Sequence, residues 1–335
     1  MPSLIKRPNG VWYGVFSHGG KRVWRSTSTR CEEEARSVFD DLSKEFVSWE
    51  RLTLGSLQNE LAGLVQGVLS PSTIGLYRQA FLSLIRIIGD RKLKAISPYH
   101  VEIYKSRRLS EVSPTKINID LRTLRAAFNR AVQFRMIESN PFSSCKNVPV
   151  PEREPRFLSP EEFKSLLRVI SDSQMRAIVV LAVCTAMRLG ELINLRWNDV
   201  DLDRGFIHLK NRDEFVLKGR KQRSVPLNKM GAEVLLSLPR LSTFAFAEAD
   251  GQKLPWRRVS RKFKAYVRKA GLSEEIHFHT LRHTGASWMV QSNVPISFVK
   301  EILGHSNIAT TMIYSHSTPA HLRESINTID RALAG

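Results

Sequence analysis

At 335 residues, with 42% apolar and 25% charged side chains, the chain has the make-up of a folded protein with room for two or three domains. Its 51 Lys and Arg against 32 Asp and Glu leave a net charge of +19, an excess that repels itself in a compact fold unless a polyanion neutralises it. No run of about 18 apolar residues is present, and the polar residues 2–10 do not form a signal-peptide core. Nucleic acid is therefore favoured over an anionic membrane surface as the partner. Cys31, Cys145 and Cys184 are odd in number and far apart, which argues against a disulfide framework or a zinc knuckle and suits ordinary thiols in a reducing cytoplasm.

Residues 11–17 and 21–26 read as two strands separated by His18-Gly19-Gly20, a hairpin signal. Thr29-Arg30-Cys31-Glu32 spells a capping box, and Ala35, Val38, Phe39, Leu42 and Phe46 follow at helical spacing. Residues 1–30 hold six basic and no acidic side chains, while 31–50 hold two basic and seven acidic. Such a unit is either a DNA-facing sheet backed by a solvated helix or a simple appendage.

From Thr53 to Phe142 the pattern is helical, with breaks at Ser70-Pro71, Gly89-Asp90, Ser97-Pro98, Ser113-Pro114 and Asn140-Pro141, leaving room for four helices. Residues 51–150 carry 15 basic and 6 acidic side chains, and Arg107, Arg108, Arg122, Arg125, Arg130 and Arg135 are dense enough to suggest a phosphate-contacting surface. The proline-rich, charged residues 147–157 read as a linker. The chain is then helical up to Arg196 after a start at Ser159-Pro160-Glu161-Glu162. Residues 205–210, 214–218 and 223–227 read as short strands with a tight turn at Gly219-Arg220, and helices follow to the end. The fold class expected is multidomain and mainly α: an N-terminal hairpin-plus-helix unit at 1–50, a helical domain at 51–146, the linker, and an α+β domain at 158–335 with a small antiparallel sheet.

Four segments of the last domain carry candidate chemistry: Thr185-Ala186-Met187-Arg188-Leu189-Gly190-Glu191-Leu192; Lys218-Gly219-Arg220-Lys221-Gln222-Arg223-Ser224-Val225-Pro226-Leu227; His279-Thr280-Leu281-Arg282-His283; and Leu303-Gly304-His305 followed nine residues later by Tyr314. Their order and content resemble the tyrosine recombinase, or phage integrase, family. The resemblance covers nearly the whole chain; no single segment would be specific alone.

The resemblance implies catalytic roles for Arg188, Lys218, His279, Arg282, His305 and Tyr314. Attack on a phosphodiester builds negative charge on its non-bridging oxygens, and the planar, permanently charged fork of arginine suits them; the match gives this task to Arg188 and Arg282. Glu191 is expected to orient Arg188 rather than do acid–base work. A tyrosine hydroxyl, with a pKa of about 10, needs a base and an electropositive site before it can form a covalent phosphotyrosyl bond. The match makes Tyr314 the nucleophile, His279 the acid–base group and His305 a second donor to the phosphate. The leaving 5′-oxygen needs a proton, and Lys218 matches the family's general acid, with Lys221 close by as the alternative.

Zinc is the rival suggested by His277, His279 and His283, but Thr280 follows His279, so there is no H-E-x-x-H, and no carboxylate or cysteine cluster completes a site. No Walker A loop is present either. No cofactor is expected, because a covalent protein–DNA bond itself stores the phosphodiester energy. The expected function is site-specific recombination, integrating or excising a mobile element through a 3′-phosphotyrosyl intermediate. The alternatives are a type IB-like topoisomerase and a catalytically silent DNA-binding regulator; chromosome-dimer resolution of the Xer type fits less well, since it would lack the N-terminal unit. The partners implied are double-stranded attachment sites and three further copies of the chain in a tetramer linked through C-terminal tails, with room for an accessory DNA-bending or directionality protein. Leu322, Ile326 and Ile329 would give the tail an apolar stripe, or pack on their own domain.

Overall fold

A computed structural model describes residues 2–18, 21–65, 67–134, 136–151, 154–219, 221–315 and 329, with backbone alone for 17, 18, 21 and 44–51. The chain divides into two compact units, Met1–Glu152 and Arg153–Gly335. The fold class is mainly α with two small antiparallel sheets. Among the described residues, no helix is long and apolar enough to cross a membrane.

The first unit opens with a sheet of three strands rather than two: β1 (Ser3–Lys6), β2 (Trp12–His18) and β3 (Lys21–Ser26), antiparallel throughout. The four residues of β1 are too short for a period-2 pattern to stand out. Alternation along β2 sends Phe16 toward α1 (Glu32–Arg51), where its ring stacks on Phe39 at 5.5 Å. The other face carries Tyr13 and Trp24, with the Arg7 guanidinium over both rings at 5.0 and 4.5 Å. The Thr29 hydroxyl is not reciprocated by Glu32. It accepts from the Cys31 N–H and donates to Glu34 Oε2, so the helix begins at Glu32, later than the motif implied.

Four helices follow: α2 (Leu54–Leu64), α3 (Pro71–Ile88), α4 (Pro98–Leu109) and α5 (Pro114–Gln133). Three of them begin on Ser-Pro. Proline supplies a preset φ and needs no hydrogen-bond partner at the first helical position, while the serine oxygen caps a free N–H, as Ser70 does for Thr73 and Ser113 for Lys116. Their apolar faces, including Phe81, Leu84, Leu121, Leu124 and Phe128, form one core. Arg108 is turned inward onto the buried Asp120, and Arg125 donates to the carbonyls of Phe142 and Cys145. These two of the six expected phosphate-contacting arginines thus brace the unit itself; Arg135 lies outside the described residues.

The second unit is built on α7 (Ser173–Thr185), whose residues from Ala177 to Val183 are all buried. Around it lie α6 (Pro160–Val169), the short α8 (Leu189–Ile193), α9 (Lys229–Leu236), α10 (Trp256–Lys269), α11 (Phe278–Gln291), α12 (Ile296–Leu303) and α13 (Ala309–Met312). The Thr284 hydroxyl takes the Leu158 N–H and the Trp288 indole donates to the Leu158 carbonyl, which ties the start of the unit to α11.

The sheet differs from expectation. Its order is β4 (Val200–Asp201), β5 (Phe206–Leu209), β6 (Arg223–Pro226), and residues 214–218 are not a strand. Phe215 and Leu217 give that segment an alternating pattern, but β5 already has both edges filled, by β4 and β6. Residues 210–222 instead leave the sheet as an excursion. It is pinned by a bridge between Arg212 and Phe215, by Leu217 N–H on Asn211 Oδ1, and by the buried Leu217 side chain. Gly219 has φ +82°, a left-handed turn, and Arg220 lies outside the described residues. The expected tail stripe is also outside them, apart from an exposed Ile329.

Gly285 is the close contact that lets α11 lie against α7. A Cβ there would stand 2.3 Å from the Val183 carbonyl oxygen and 3.3 Å from Ala186 Cβ. Gly285→Ala is predicted to force these helices apart and lower stability by about 1–3 kcal/mol, read as a lower urea midpoint. An unchanged midpoint would show that the contact yields freely.

Candidate active site

The site is assembled where two helices end. Helix α7 stops at Thr185, and Ala186 turns left-handed, with φ +51°, directing its carbonyl at α11. Helix α12 stops at Leu303, and Gly304 turns left-handed, with φ +66°, carrying the chain to His305. Between them, Arg282 of α11 is 2% exposed. Its guanidinium donates to the Ala186 carbonyl at 2.9 Å, the Leu303 carbonyl at 2.8 Å and His305 Nε2 at 3.0 Å. Burial, followed by the neighbouring Arg188, pulls its pKa below the usual guanidinium range, which still leaves it charged at neutral pH.

A guanidinium has no lone pair to offer, so His305 Nε2 must accept from it. The ring is therefore neutral, and its Nδ1–H donates to the Thr311 hydroxyl at 2.9 Å. Burial and then Arg282 push the His305 pKa down to about 4.

Arg188 lies at the start of α8. Glu191, one turn on and 3% exposed, accepts from the Arg188 backbone N–H at 2.9 Å and from its guanidinium at 3.1 Å. The same carboxylate is gripped by both terminal nitrogens of Arg223 at 3.1 and 2.8 Å, a bidentate pair. Burial alone would raise the Glu191 pKa, but the hydrogen bonds and charges of Arg223 and Arg188 outweigh it and hold the group below the usual carboxylate range. Arg223 Nε donates in turn to the Ile302 carbonyl at 2.9 Å, linking β6 to the end of α12.

Tyr314, 5% exposed, packs with Ala186, Ala286, Val299 and Leu303. Its hydroxyl lies 2.7 Å from His283 Nδ1. Burial raises its pKa, opposed by Arg282 and Arg188. His279 packs edge-on against His283, with centroids 4.8 Å apart, and keeps an exposed rim. Its pKa is driven down to about 4, first by burial, then by His283, Arg282, Arg188 and Lys218. Lys218 is exposed, and its charge reaches His279 without a direct bond among those described.

Arg188, His279, Arg282, His305 and Tyr314 are thus brought together, with Lys218 at the rim. The motif reading did not single out His283 as the partner of Tyr314, nor Arg223 as the partner of Glu191. Both left a signal: His283 stands at i+4 from His279 on one helix face, and Arg223 stands two residues before the buried Val225, on the same inward face of β6.

The neutral histidines couple stability to pH. The unfolded chain protonates His279 and His305 near the ordinary 6.5, whereas the folded site resists until about 4. Between these values the unfolded state holds more protons, so stability rises with pH. Their contribution should be complete above about pH 6.5 and be lost progressively as pH falls toward 4. Urea unfolding at constant ionic strength from pH 7.5 to 5, a window above most carboxylate titration, should show the decline, and His305→Gln should flatten it; a level wild-type profile would contradict the coupling.

The phage integrase family pattern matches residues 156–321. A tyrosine recombinase of Pseudothermotoga lettingae is 30% identical over 248 residues, covering 72% of this chain and 85% of that protein. The tyrosine recombinase XerA of Thermococcus kodakarensis is 33% identical over 265 residues, covering 76% and 88%. Lambda integrase, in a tetramer bound to a Holliday junction, shares the fold with a TM-score of 0.66 at 20% identity, over 92% of this chain and 96% of that one. The chain belongs to the tyrosine recombinase family, enzymes of site-specific recombination that cleave and rejoin DNA.

Proposed function

We propose that this enzyme integrates and excises a mobile element by forming a 3′-phosphotyrosyl bond between DNA and Tyr314. The observation that carries the reading is the buried Tyr314 hydroxyl beside Arg282, which is held by carbonyls and His305 with no carboxylate in contact among the described residues. Arg188 and Arg282 hold the non-bridging oxygens of the scissile phosphate and stabilise the charge that grows there. His279, on the exposed side, is the acid–base candidate that the family match gives. His305 Nε2 accepts from Arg282, so it becomes a donor to the phosphate only after gaining a proton. An anionic phosphate favours that gain by raising its pKa. Lys218 protonates the departing 5′-oxygen. No cofactor or metal is assigned a step.

In this reading residues 1–50 form an arm-type DNA-binding unit, 51–146 a core-binding domain, 147–157 a linker and 158–335 the catalytic domain with its tail. The Tyr13–Trp24 face of the N-terminal sheet, with Arg7 spread over it, supports the first assignment, since cations and aromatic rings together suit a nucleic-acid surface. The lambda integrase tetramer bound to a Holliday junction supports four protomers on DNA. In this reading the DNA is a pair of double-stranded attachment sites, an accessory DNA-bending or directionality protein is a further partner, and the enzyme acts in the cytoplasm.

Tyr314→Phe is predicted to keep DNA affinity and lose covalent adduct formation on a duplex nicked so that the cleaved end escapes. Adduct from this variant on a denaturing gel would remove Tyr314 from the role. Lys218→Ala should slow cleavage by roughly 10²–10⁴-fold, the usual contribution of a general acid. Replacing the 5′-oxygen with sulfur, which leaves without a proton, should largely restore Lys218→Ala and leave Arg188→Ala defective. Rescue of Lys221→Ala instead would exchange the two lysines.

A further inference from the structure

Resting on Tyr314 as nucleophile, we propose that His283 is a further catalytic residue, the group that takes the proton from Tyr314 when its oxygen attacks phosphorus and returns it when the strand is rejoined. The hydrogen bond to the nucleophile belongs to His283 rather than His279: Nδ1 of His283 is 2.7 Å from the phenol oxygen, within the distance at which a base removes a proton directly. The rings are tilted by 50° with centroids 5.6 Å apart, so the contact runs through the nitrogen edge and not through stacked faces. Sharing α11 with Arg282 makes this possible. Successive helical residues point about 100° apart, so Arg282 enters the pocket between the two helix ends while His283 turns to Tyr314.

The protonation states agree with this geometry. Burial, with Arg282 beside it, keeps the His283 pKa below its ordinary value, so the ring is neutral and can accept. Burial keeps the Tyr314 proton in place against the pull of Arg282 and Arg188, so with His283 in its Nε2–H tautomer the phenol donates to Nδ1. The groups facing the pair are His279, 4.8 Å from His283 on the same helix, Arg282, and Arg188 from α8. A phenol that will not ionise alone, seated on a neutral imidazole, is the arrangement of an activated oxygen nucleophile.

The step balances without another reactant. The Tyr314 oxygen bonds to phosphorus, its proton passes to His283 Nδ1, and the ring, already protonated at Nε2, becomes an imidazolium. The bond from phosphorus to the 5′-oxygen breaks, and that oxygen takes a proton from Lys218. In rejoining, a 5′-hydroxyl attacks phosphorus and gives its proton to the Lys218 amine, while the released Tyr314 oxygen recovers the proton from His283.

The test measures the single-turnover rate of adduct formation on the nicked duplex at saturating enzyme. His283→Ala and His283→Gln should bind DNA as the wild type does and form adduct about 10²-fold or more slowly. Fluorinating the Tyr314 ring makes the phenol more acidic, so it needs less help from a base. This substitution should therefore restore much of the lost rate in His283→Ala or His283→Gln and do little in the wild type, an effect that mere positioning of the ring would not produce. The 5′-sulfur substrate should not rescue either variant, because the defect lies on the nucleophile. If His283→Ala does not fold, His283→Gln carries the comparison. A wild-type rate in His283→Gln, or the same response to fluorination with and without His283, would overturn the proposal. Adduct from Tyr314→Phe would instead overturn the assignment of the nucleophile, so the two failures are distinct.

Discussion

Two carbonyl groups, those of Ala186 and Leu303, meet on one buried guanidinium, and the second unit is arranged so that they can. Both stand at the C-terminal ends of helices, α7 and α12, where carbonyls have no partner within the helix and the peptide dipoles present their negative pole. A cation placed there removes two unsatisfied acceptors and is partly compensated for leaving water. That explains how Arg282 can be buried with no carboxylate among the described residues touching it. It also explains two unusual backbone positions. Ala186 has a left-handed φ that few non-glycine residues adopt, and Gly304 must be glycine both for its φ and because a Cβ would meet the Arg223 side chain at 2.9 Å.

Glu191 is the counterweight. One buried carboxylate serves Arg188 and Arg223 and, through Arg223, reaches the Ile302 carbonyl at the end of α12. The same helix end is therefore held from two sides, by Arg282 and by Arg223. A carboxylate gripped by three or more charged hydrogen bonds offers little basicity, which agrees with an orienting role for Glu191. Its single charge leaves Arg188 and Arg282 with positive potential in excess. An excess of this kind is costly in a stored fold and useful to an enzyme whose substrate brings the missing anion.

The helical framework was legible because its punctuation is local. Ser70-Pro71, Ser97-Pro98, Ser113-Pro114 and Ser159-Pro160 each mark a helix start by chemistry confined to a few residues. The sheet of the second unit was less so, since the alternation in 214–218 is genuine but pairing depends on which edges of β5 are free. The site divides in the same way. Arg188, His279, Arg282, His305 and Tyr314 stood out through motif order. The bonds from His283 to Tyr314 and from Arg223 to Glu191 join residues 31 and 32 positions apart, and only the packing of α11 against the segment after α13 and of β6 against α8 brings them together.

The excursion between β5 and β6 gives a physical reason to separate two lysines that sequence alone left close to equal. Leu217 is buried, its N–H is held by Asn211, and the nearby Phe215 ring lies 3.7 Å from where a Cβ on Gly190 would be, beside α8. Lys218 follows Leu217 directly, so its backbone inherits that anchorage before the chain turns at Gly219. Lys221 lies beyond the turn, on the return toward β6. The field at His279 carries a trace of this: Lys218 is among the charges that depress its pKa. A proton donor must be held near the reacting atoms yet keep a free ammonium. An exposed lysine fixed by the buried leucine before it satisfies both demands, and this favours Lys218 over its neighbour.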